Sequence, residues 1–149
     1  MKKIILSIST FLIITSFGFS NTQELKKECN IESCELKITH VEVEKPSDND
    51  TAIKMHIKNN GNKTVDIIAA YSPIDTKTQL HHFVTIGNKR VMKQIKTIEI
   101  YPHNSVDLSF QELHIMLIGL KEKLTKGQKV PLTLILEDGS TLSTTAIVD

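Results

Sequence analysis

The sequence lacks an excess of charge of either sign. Over 149 residues, 18 Lys and Arg residues are balanced by 17 Asp and Glu residues. Nucleic-acid binding needs a basic face, and attachment to an anionic membrane needs a polybasic segment, so neither is predicted. Motifs of catalysis are also missing: the chain has no phosphate-binding glycine loop, nucleophile elbow or paired-carboxylate motif. We therefore expect a protein that is not an enzyme.

Cysteine is scarce, with only Cys29 and Cys34 in the chain. Outside the cytoplasm such a pair tends to oxidise, so we expect one disulfide that acts as an N-terminal staple. Their Cys-x4-Cys spacing differs from the Cys-x2-Cys of thioredoxin-like enzymes. A thiol-disulfide reductase that works through these two cysteines remains the alternative function.

The first twenty residues have the pattern of a secretory signal peptide. Lys2 and Lys3 precede an apolar run from Ile4 to Phe19, and Ser20 offers a small residue for cleavage. The run is short for a spanning helix, and no Leu-x-Gly-Cys motif for lipid attachment follows. We expect export to a bacterial periplasm and no stable membrane insertion after cleavage, with a retained anchor as the alternative. Without the leader, 16 basic residues face 17 acidic ones, a net charge of −1.

Short strand-like runs dominate the chain after a polar tether at residues 21–34. Period-two alternation or β-rich composition marks residues 36–41, 53–58, 65–71, 79–86, 91–101, 105–110, 114–120, 132–136 and 141–148. Gly87-Asn88 and Asp138-Gly139 separate neighbouring runs as hairpin turns would. Many short strands with turn residues between them predict an all-β sandwich or barrel over residues 35–149.

Two histidines and two methionines form the candidate site. Ten residues separate His81 from Met92, twenty-one separate Met92 from His114, and Met116 follows two positions later. Thioether sulfur is a soft donor and imidazole a borderline one, so the set favours Cu(I) over zinc, calcium or magnesium. Methionine carries no proton to lose and cannot form a disulfide, which suits an acidic, oxidising compartment.

Strand geometry supports part of this set. Residues i and i+2 of a strand point to one face, so His114 and Met116 would lie side by side while Ile115 and Leu117 face the core. A hairpin at Gly87-Asn88 would bring the strands of the other two donors together. The alternative is ordinary: a methionine in a β-protein usually fills the core, and a histidine in a strand usually lies on the surface.

The His-x10-Met-x21-His-x-Met spacing resembles the signature of the PCuAC-type periplasmic copper chaperones. The segments 97–102 (TIEIYP), 114–120 (HIMLIGL) and 124–134 (LTKGQKVPLTL) are also similar to that family. The resemblance implies a cupredoxin-like Greek-key β-sandwich that holds one Cu(I) per chain. It further implies delivery of copper to the dinuclear CuA centre of cytochrome c oxidase subunit II, with a Sco-type copper protein as another partner.

The chain departs from the family pattern at several positions. A further methionine often follows the first histidine by two residues, and Phe83 stands there instead. His82 could serve as an alternate donor, although we expect it to point away from His81. No cysteine lies near the four donors, so copper transfer is expected and redox cycling is not. A metal-free adhesion or assembly module is the third candidate function.

Overall fold

A computed structural model describes residues 35–44 and 49–149 of the chain. The predicted signal peptide, the tether and the expected Cys29–Cys34 disulfide lie outside the described residues. The described part contains ten strands and no helix: β1 (Leu36–Val43), β2 (Asp50–Asn59), β3 (Val65–Tyr71), β4 (Lys77–Ile86), β5 (Lys89–Gln94), β6 (Ile98–Ile100), β7 (Ser105–Leu108), β8 (Leu113–Ile118), β9 (Lys129–Leu136) and β10 (Thr141–Val148). No helix capable of crossing a bilayer occurs in these ranges.

The strands form one continuous hydrogen-bonded sheet that folds over a single hydrophobic core. Its order is β5-β4-β8-β2-β1-β10-β9-β3-β6, and β7 pairs with β2 beside this path. β1 and β10 run parallel, and the other pairings of the described residues are antiparallel. β5 and β6 therefore end the sheet. The predicted all-β sandwich is confirmed, with the non-sequential strand neighbours of a Greek key.

The core is built from the alternating apolar positions of these strands. Ile53 and Ile57 of β2, Ile115 and Leu117 of β8, and Leu134 of β9 are fully buried. Each such aliphatic side chain stabilises the fold by about 1.5–3 kcal/mol when it leaves water. Because side chains alternate across a strand, the residues between them project from the opposite face of the sheet.

Two glycines with positive φ form the tight connections that the sequence indicated. Gly87 (φ 61°) lies in the turn between β4 and β5, and Gly139 (φ 80°) lies in the turn between β9 and β10. Both strand pairs are antiparallel, so both predicted hairpins are confirmed. The β4–β5 hairpin projects at the end of the sheet, and it carries two of the candidate donor residues.

Candidate metal centre

The four candidate donors lie on one face of three adjacent strands, β5, β4 and β8. His81 of β4 lies directly opposite His114 of β8. Met92 of β5 lies opposite Phe83, which is two residues along β4 from His81 and so shares its face. Met116 follows His114 by two positions on the same side of β8. The strand register thus groups residues that are distant in the sequence.

His114 and Met92 are in direct contact. The His114 Nε2 atom lies 3.2 Å from the Met92 Sδ atom, and His114 has no solvent-exposed surface. The His114 Nδ1 atom lies 3.4 Å from the carbonyl oxygen of Glu112. A carbonyl only accepts hydrogen bonds, so the tautomer that donates to it carries its proton on Nδ1 and leaves the Nε2 lone pair facing the sulfur. Imidazole ligands of metals are commonly oriented in this way.

The spacing of these two atoms suits a shared metal ion. Tetrahedral zinc, at about 2.0 Å from imidazole nitrogen and about 2.3 Å from sulfur, separates two such donors by roughly 3.5 Å. The observed 3.2 Å is close to that value. An unprotonated nitrogen and a thioether sulfur are both electron donors. They face each other without a hydrogen between them, and an ion could occupy the site after a small shift.

His81 is oriented by a chain of two glutamines. The Gln79 amide nitrogen donates to the Gln94 side-chain oxygen at 2.8 Å, so the Gln79 oxygen remains as an acceptor. The His81 Nε2 atom lies 3.0 Å from that oxygen and therefore carries the ring proton. The other ring nitrogen, Nδ1, is buried and has no hydrogen-bond partner. A buried acceptor without a partner costs free energy, which a bound cation would offset.

Burial keeps both imidazoles neutral. Desolvation lowers the pKa of His114, and the nearby His81 and His82 lower it further against the opposing effect of the Glu112 carbonyl. Desolvation also lowers the pKa of His81, with a smaller contribution from the charge of Lys77. Neutral imidazole is the form that binds metal, so the two rings are ready to act as ligands at neutral pH.

Met116 occupies a different position from the other three donors. It is half-buried, lies opposite Gln79 on β4, and shares the face of His114 through the strand period. It also lines an open surface cavity of about 440 Å³ together with Ala52 and Phe110. Direct contact joins Met92 and His114, and strand pairing places the His81 ring beside that of His114, whereas the strand period alone places Met116 beside them. Met116 therefore lies where the site meets solvent.

Aromatic rings cover the buried imidazole. The ring centroids of Phe83 and Phe110 lie 5.8 Å and 5.4 Å from that of His114, and the His81 ring lies 5.8 Å away edge-on. The Arg90 guanidinium lies 5.0 Å from the Phe83 ring centroid and donates a hydrogen bond to the Gln111 carbonyl. Sequence analysis identified Phe83 only as a departure from the family pattern.

The described residues offer no site with the charged ligands that zinc, calcium or magnesium prefer. In the described ranges, no group of three or more His, Cys, Asp or Glu residues could hold a metal ion. The register places His82 on the opposite face from His81. His56 contacts Asp107 at 2.6 Å, and His103 contacts Asn62 at 3.0 Å. The candidate centre is thus a neutral set of nitrogen and thioether donors.

Comparison with known families and proteins gives two kinds of similarity. The family model described as "Putative lipoprotein LpqE-like" matches residues 35–148. The curated "Putative lipoprotein Lxx21020" of Leifsonia xyli subsp. xyli is 37% identical over 92 residues. That match covers 61% of this chain and 55% of the relative, so the chain matches about half of the relative's length.

Two solved structures share the fold over most of the chain. The Cu(I)-bound DR1885 protein of Deinococcus radiodurans is 30% identical with a TM-score of 0.61, covering 78% of this chain and 77% of its own. The copper-bound PCuAC domain of PmoF2 is 19% identical with a TM-score of 0.64, covering 77% of this chain and 92% of its own. The fold of this chain is therefore that of the PCuAC domains.

Proposed function

We propose, from the premise that this chain belongs to the LpqE-like family and has the fold of PCuAC domains, that it is a Cu(I)-binding metallochaperone. One cuprous ion per chain is the cargo. His81, Met92, His114 and Met116 are its ligands. The family's description as lipoproteins supports an exported protein of the cell envelope, and we place its work in the periplasm.

The observation that carries this proposal is the contact between His114 and Met92, beside the unpartnered ring nitrogen of His81 on the strand between them. The His114 Nε2 lone pair faces the Met92 sulfur at 3.2 Å, and the His81 Nδ1 atom is buried without a partner. Thioether donors favour soft monovalent copper over zinc, which takes thiolate, imidazole or carboxylate, and over calcium and magnesium, which take oxygen. The lowered pKa values of both imidazoles keep these donors available.

The solved relatives support the same chemistry. DR1885 and PmoF2 are both described as bound to copper, and the first shares 30% identity with this chain. The sequence of this chain also carries the His-x10-Met-x21-His-x-Met spacing of the PCuAC-type chaperones without insertion or deletion.

Transfer of the ion follows from the exposure of the ligands. His114 is buried, whereas Met92 and Met116 are half-buried and the cavity beside Met116 is open to solvent. A ligand of an acceptor protein can therefore replace the thioethers first and the imidazoles afterwards, so copper is never released into water. Direction is set by the relative Cu(I) affinity of donor and acceptor. Each coordination bond that the chain gives up is replaced by one from the acceptor, no covalent bond of the protein changes, and the chain acts as a carrier.

We propose the CuA centre of cytochrome c oxidase subunit II as the acceptor, with a Sco-type copper protein as a second partner. The support is the family resemblance of the sequence from residue 64 to residue 148. A transfer experiment with the purified, copper-free subunit II domain would test this. Absence of any transfer from the loaded chain to that domain would contradict the acceptor and leave the copper site itself untouched.

A competition titration against a colorimetric Cu(I) chelator tests the ligand set. The double variant Met92→Leu/Met116→Leu keeps the side-chain volume and removes both sulfurs, so Cu(I) affinity should fall at least about a hundredfold, or roughly 2.7 kcal/mol. Met55→Leu is the matched control, because Met55 is buried in the core away from this face. Equal affinity in the two variants would contradict the proposed ligands.

A further inference from the structure

The near-neutral charge of the chain conceals an uneven distribution. No Asp or Glu occurs between Asp75 and Glu99. The same interval contains five basic side chains: Lys77, Lys89, Arg90, Lys93 and Lys96. The interval coincides with the β4–β5 hairpin and the residues just after it, so the charge belongs to one structural element. We refer to residues 77–96 as the basic ribbon.

The basic charges of this ribbon are exposed and uncompensated. All five side chains are exposed to solvent. Within the described ranges, the salt bridges are Lys54–Glu42 and His56–Asp107, and neither involves the ribbon. β5 ends the sheet and pairs with β4 alone among the described strands, so the outer edge of the ribbon is accessible, while the face that carries Phe83 and Met92 packs against His114. Its positive field therefore extends into solvent over about one Debye length, roughly 8–10 Å at physiological ionic strength.

The ribbon surrounds an outer ligand of the proposed copper site. Met92 lies in the middle of β5, between Arg90 on the same face and Lys93 next to it on the opposite face. The charge of Lys77 already influences His81. A molecule that approaches Met92 to remove copper must therefore enter this positive field.

Four acidic side chains lie at the other end of the sheet. Asp66 of β3 pairs with Glu99 of β6, and Glu137 and Asp138 form the tip of the β9–β10 hairpin. β6 is the edge strand opposite to β5 in the sheet order. Lysines on an edge strand also discourage strand pairing between copies of a protein, and this is the ordinary explanation for the lysines of β5. That explanation does not account for the absence of acidic residues from β4, which is an interior strand.

We propose that the basic ribbon is the docking surface for an acidic protein surface that presents the copper acceptor. This inference rests on the proposed function, since it assigns the partner-facing side of the same site. Charge complementarity would steer the partner to Met92 and would speed its association. A protein is favoured over an anionic lipid headgroup because phosphate oxygens are hard ligands and cannot accept Cu(I).

A copper-independent experiment tests the docking surface first. The probes are two synthetic peptides with the same Met-rich copper motif, one flanked by glutamates and the other by glutamines. Amide chemical shifts of the copper-free chain are followed by NMR during titration. The glutamate peptide should shift residues 77–96 preferentially, and added salt should reverse the shifts. Shifts of equal size with the glutamine peptide, or shifts confined to other strands, would overturn the proposal.

Charge variants then connect docking to transfer. In Lys89→Gln/Lys93→Gln/Lys96→Gln, the rate of Cu(I) transfer to the glutamate peptide at low ionic strength should fall about tenfold. The matched control is Lys123→Gln/Lys126→Gln/Lys129→Gln, which removes the same charge from exposed positions around the loop before β9. Equal rates in both variants would overturn the proposal. Unchanged Cu(I) affinity in both variants shows that the site is intact, so failure of docking is distinguishable from failure of the copper site.

The same series tests two alternative occupants of the ribbon, a membrane surface and a second copy of the chain. The chain is sedimented with vesicles of phosphatidylglycerol, and its mass in solution is measured at low salt. Ribbon-dependent vesicle binding without any response to the glutamate peptide would assign the ribbon to a membrane surface and overturn the protein partner. A ribbon-dependent dimer would likewise assign it to the acidic end of a second copy.

Discussion

At the scale of single residues, hydrogen bonding determines which atoms can bind a metal. The Gln94–Gln79–His81 chain places the proton of His81 on Nε2, and the Glu112 carbonyl places that of His114 on Nδ1. The two histidines therefore offer different nitrogens, Nδ1 from His81 and Nε2 from His114. Residues behind a ligand commonly change metal affinity by about 10- to 100-fold.

Gln94→Ala should weaken Cu(I) binding although Gln94 does not bind the ion. The Gln79 amide would lose its acceptor and could rotate, so His81 would populate both tautomers. We expect affinity to fall about tenfold, and 15N shifts of the imidazole should report the mixture. Gln111→Ala is the control, because it retains the backbone carbonyl that Arg90 contacts. An unmixed His81 tautomer in Gln94→Ala would contradict the role of this chain.

The buried imidazoles should also make the metal-free fold sensitive to pH. Burial lowers the pKa of His81 and of His114 below the ordinary 6.5. Between that ordinary value and the lowered ones, the unfolded chain binds protons that the folded chain does not. The free energy of unfolding should therefore fall as the pH decreases through this window.

Chemical denaturation of the metal-free chain at a series of pH values checks this sign. In His81→Gln/His114→Gln the dependence should become shallower, because the two groups that resist protonation are gone. A double variant with the same slope as the parent would show that other groups cause the dependence.

At the scale of elements, the β4–β5 hairpin is the part of the site with the fewest supports. Its strands pair with the rest of the described sheet only through β4 and β8, and β5 pairs only with β4. Arg90 adds a further connection, since it stacks on Phe83 and bonds the Gln111 carbonyl ahead of β8. Arg90 thus holds the strand that carries Met92 against the segment that covers His114.

Arg90→Lys should loosen this attachment without changing the charge. An ammonium group lacks the planar fork that can stack and donate a hydrogen bond at once. The loss of about 0.5–1 kcal/mol from a cation–π contact corresponds to amide exchange in β5 that is about two- to fivefold faster. Hydrogen exchange measured by NMR would show this in β5 and leave β9 and β10 unchanged. Equal acceleration throughout the sheet would indicate a general loss of stability.

Several elements could be predicted from the sequence with correct bounds. The runs 65–71 and 141–148 coincide with β3 and β10, and the run 114–120 overlaps most of β8. The run 91–101 was predicted as a single strand, which is wrong. It divides at residues 95–97 because β5 pairs with β4 while β6 pairs with β3 at the opposite end of the sheet. An apolar pattern records burial and does not identify the pairing partner.

The sequence indicated four candidate donors and not their surroundings. Donor chemistry and spacing suggested them, and the structure brings Met92 into contact with His114 and pairs His81 with His114. Their role as ligands stays a prediction. Gln79, Gln94 and Phe110 carried no sequence signal, because their roles depend on cross-strand register. The basic ribbon was equally hidden, since the nearly balanced net charge of the whole chain suggested no charged surface.

At the scale of the whole molecule, the core and the site are on opposite faces of the same strand. Ile115 and Leu117 of β8 are completely buried in the core, and His114 and Met116 alternate with them on the outer face. Packing therefore fixes the backbone beneath the donors without using the donors themselves. The fold should form without copper, and copper should add to its stability.

Binding of Cu(I) should raise the unfolding temperature of the whole domain by mass action. At a free ligand concentration one hundred times Kd, the gain is about 2.7 kcal/mol. The shift is the difference between two thermal unfolding temperatures measured without oxygen. One sample contains no Cu(I), and in the other a chelator sets the concentration of free Cu(I). In Met92→Leu/Met116→Leu, a hundredfold weaker site would gain only about 0.4 kcal/mol at that ion concentration, so most of the shift should disappear. A full shift retained in this variant would place the ion elsewhere.

The two-residue turn at Gly87-Asn88 fixes the register in which β4 and β5 pair. Phe83 lies opposite Met92 in this hairpin. The number of residues between His81 and Met92 therefore sets the position of the sulfur along β5 and the face of the sheet from which it projects. Inserting one residue into β5 before Met92 would turn the sulfur to the reverse side of the ribbon. A change of one residue in the length of this interval would therefore remove the sulfur from the candidate site.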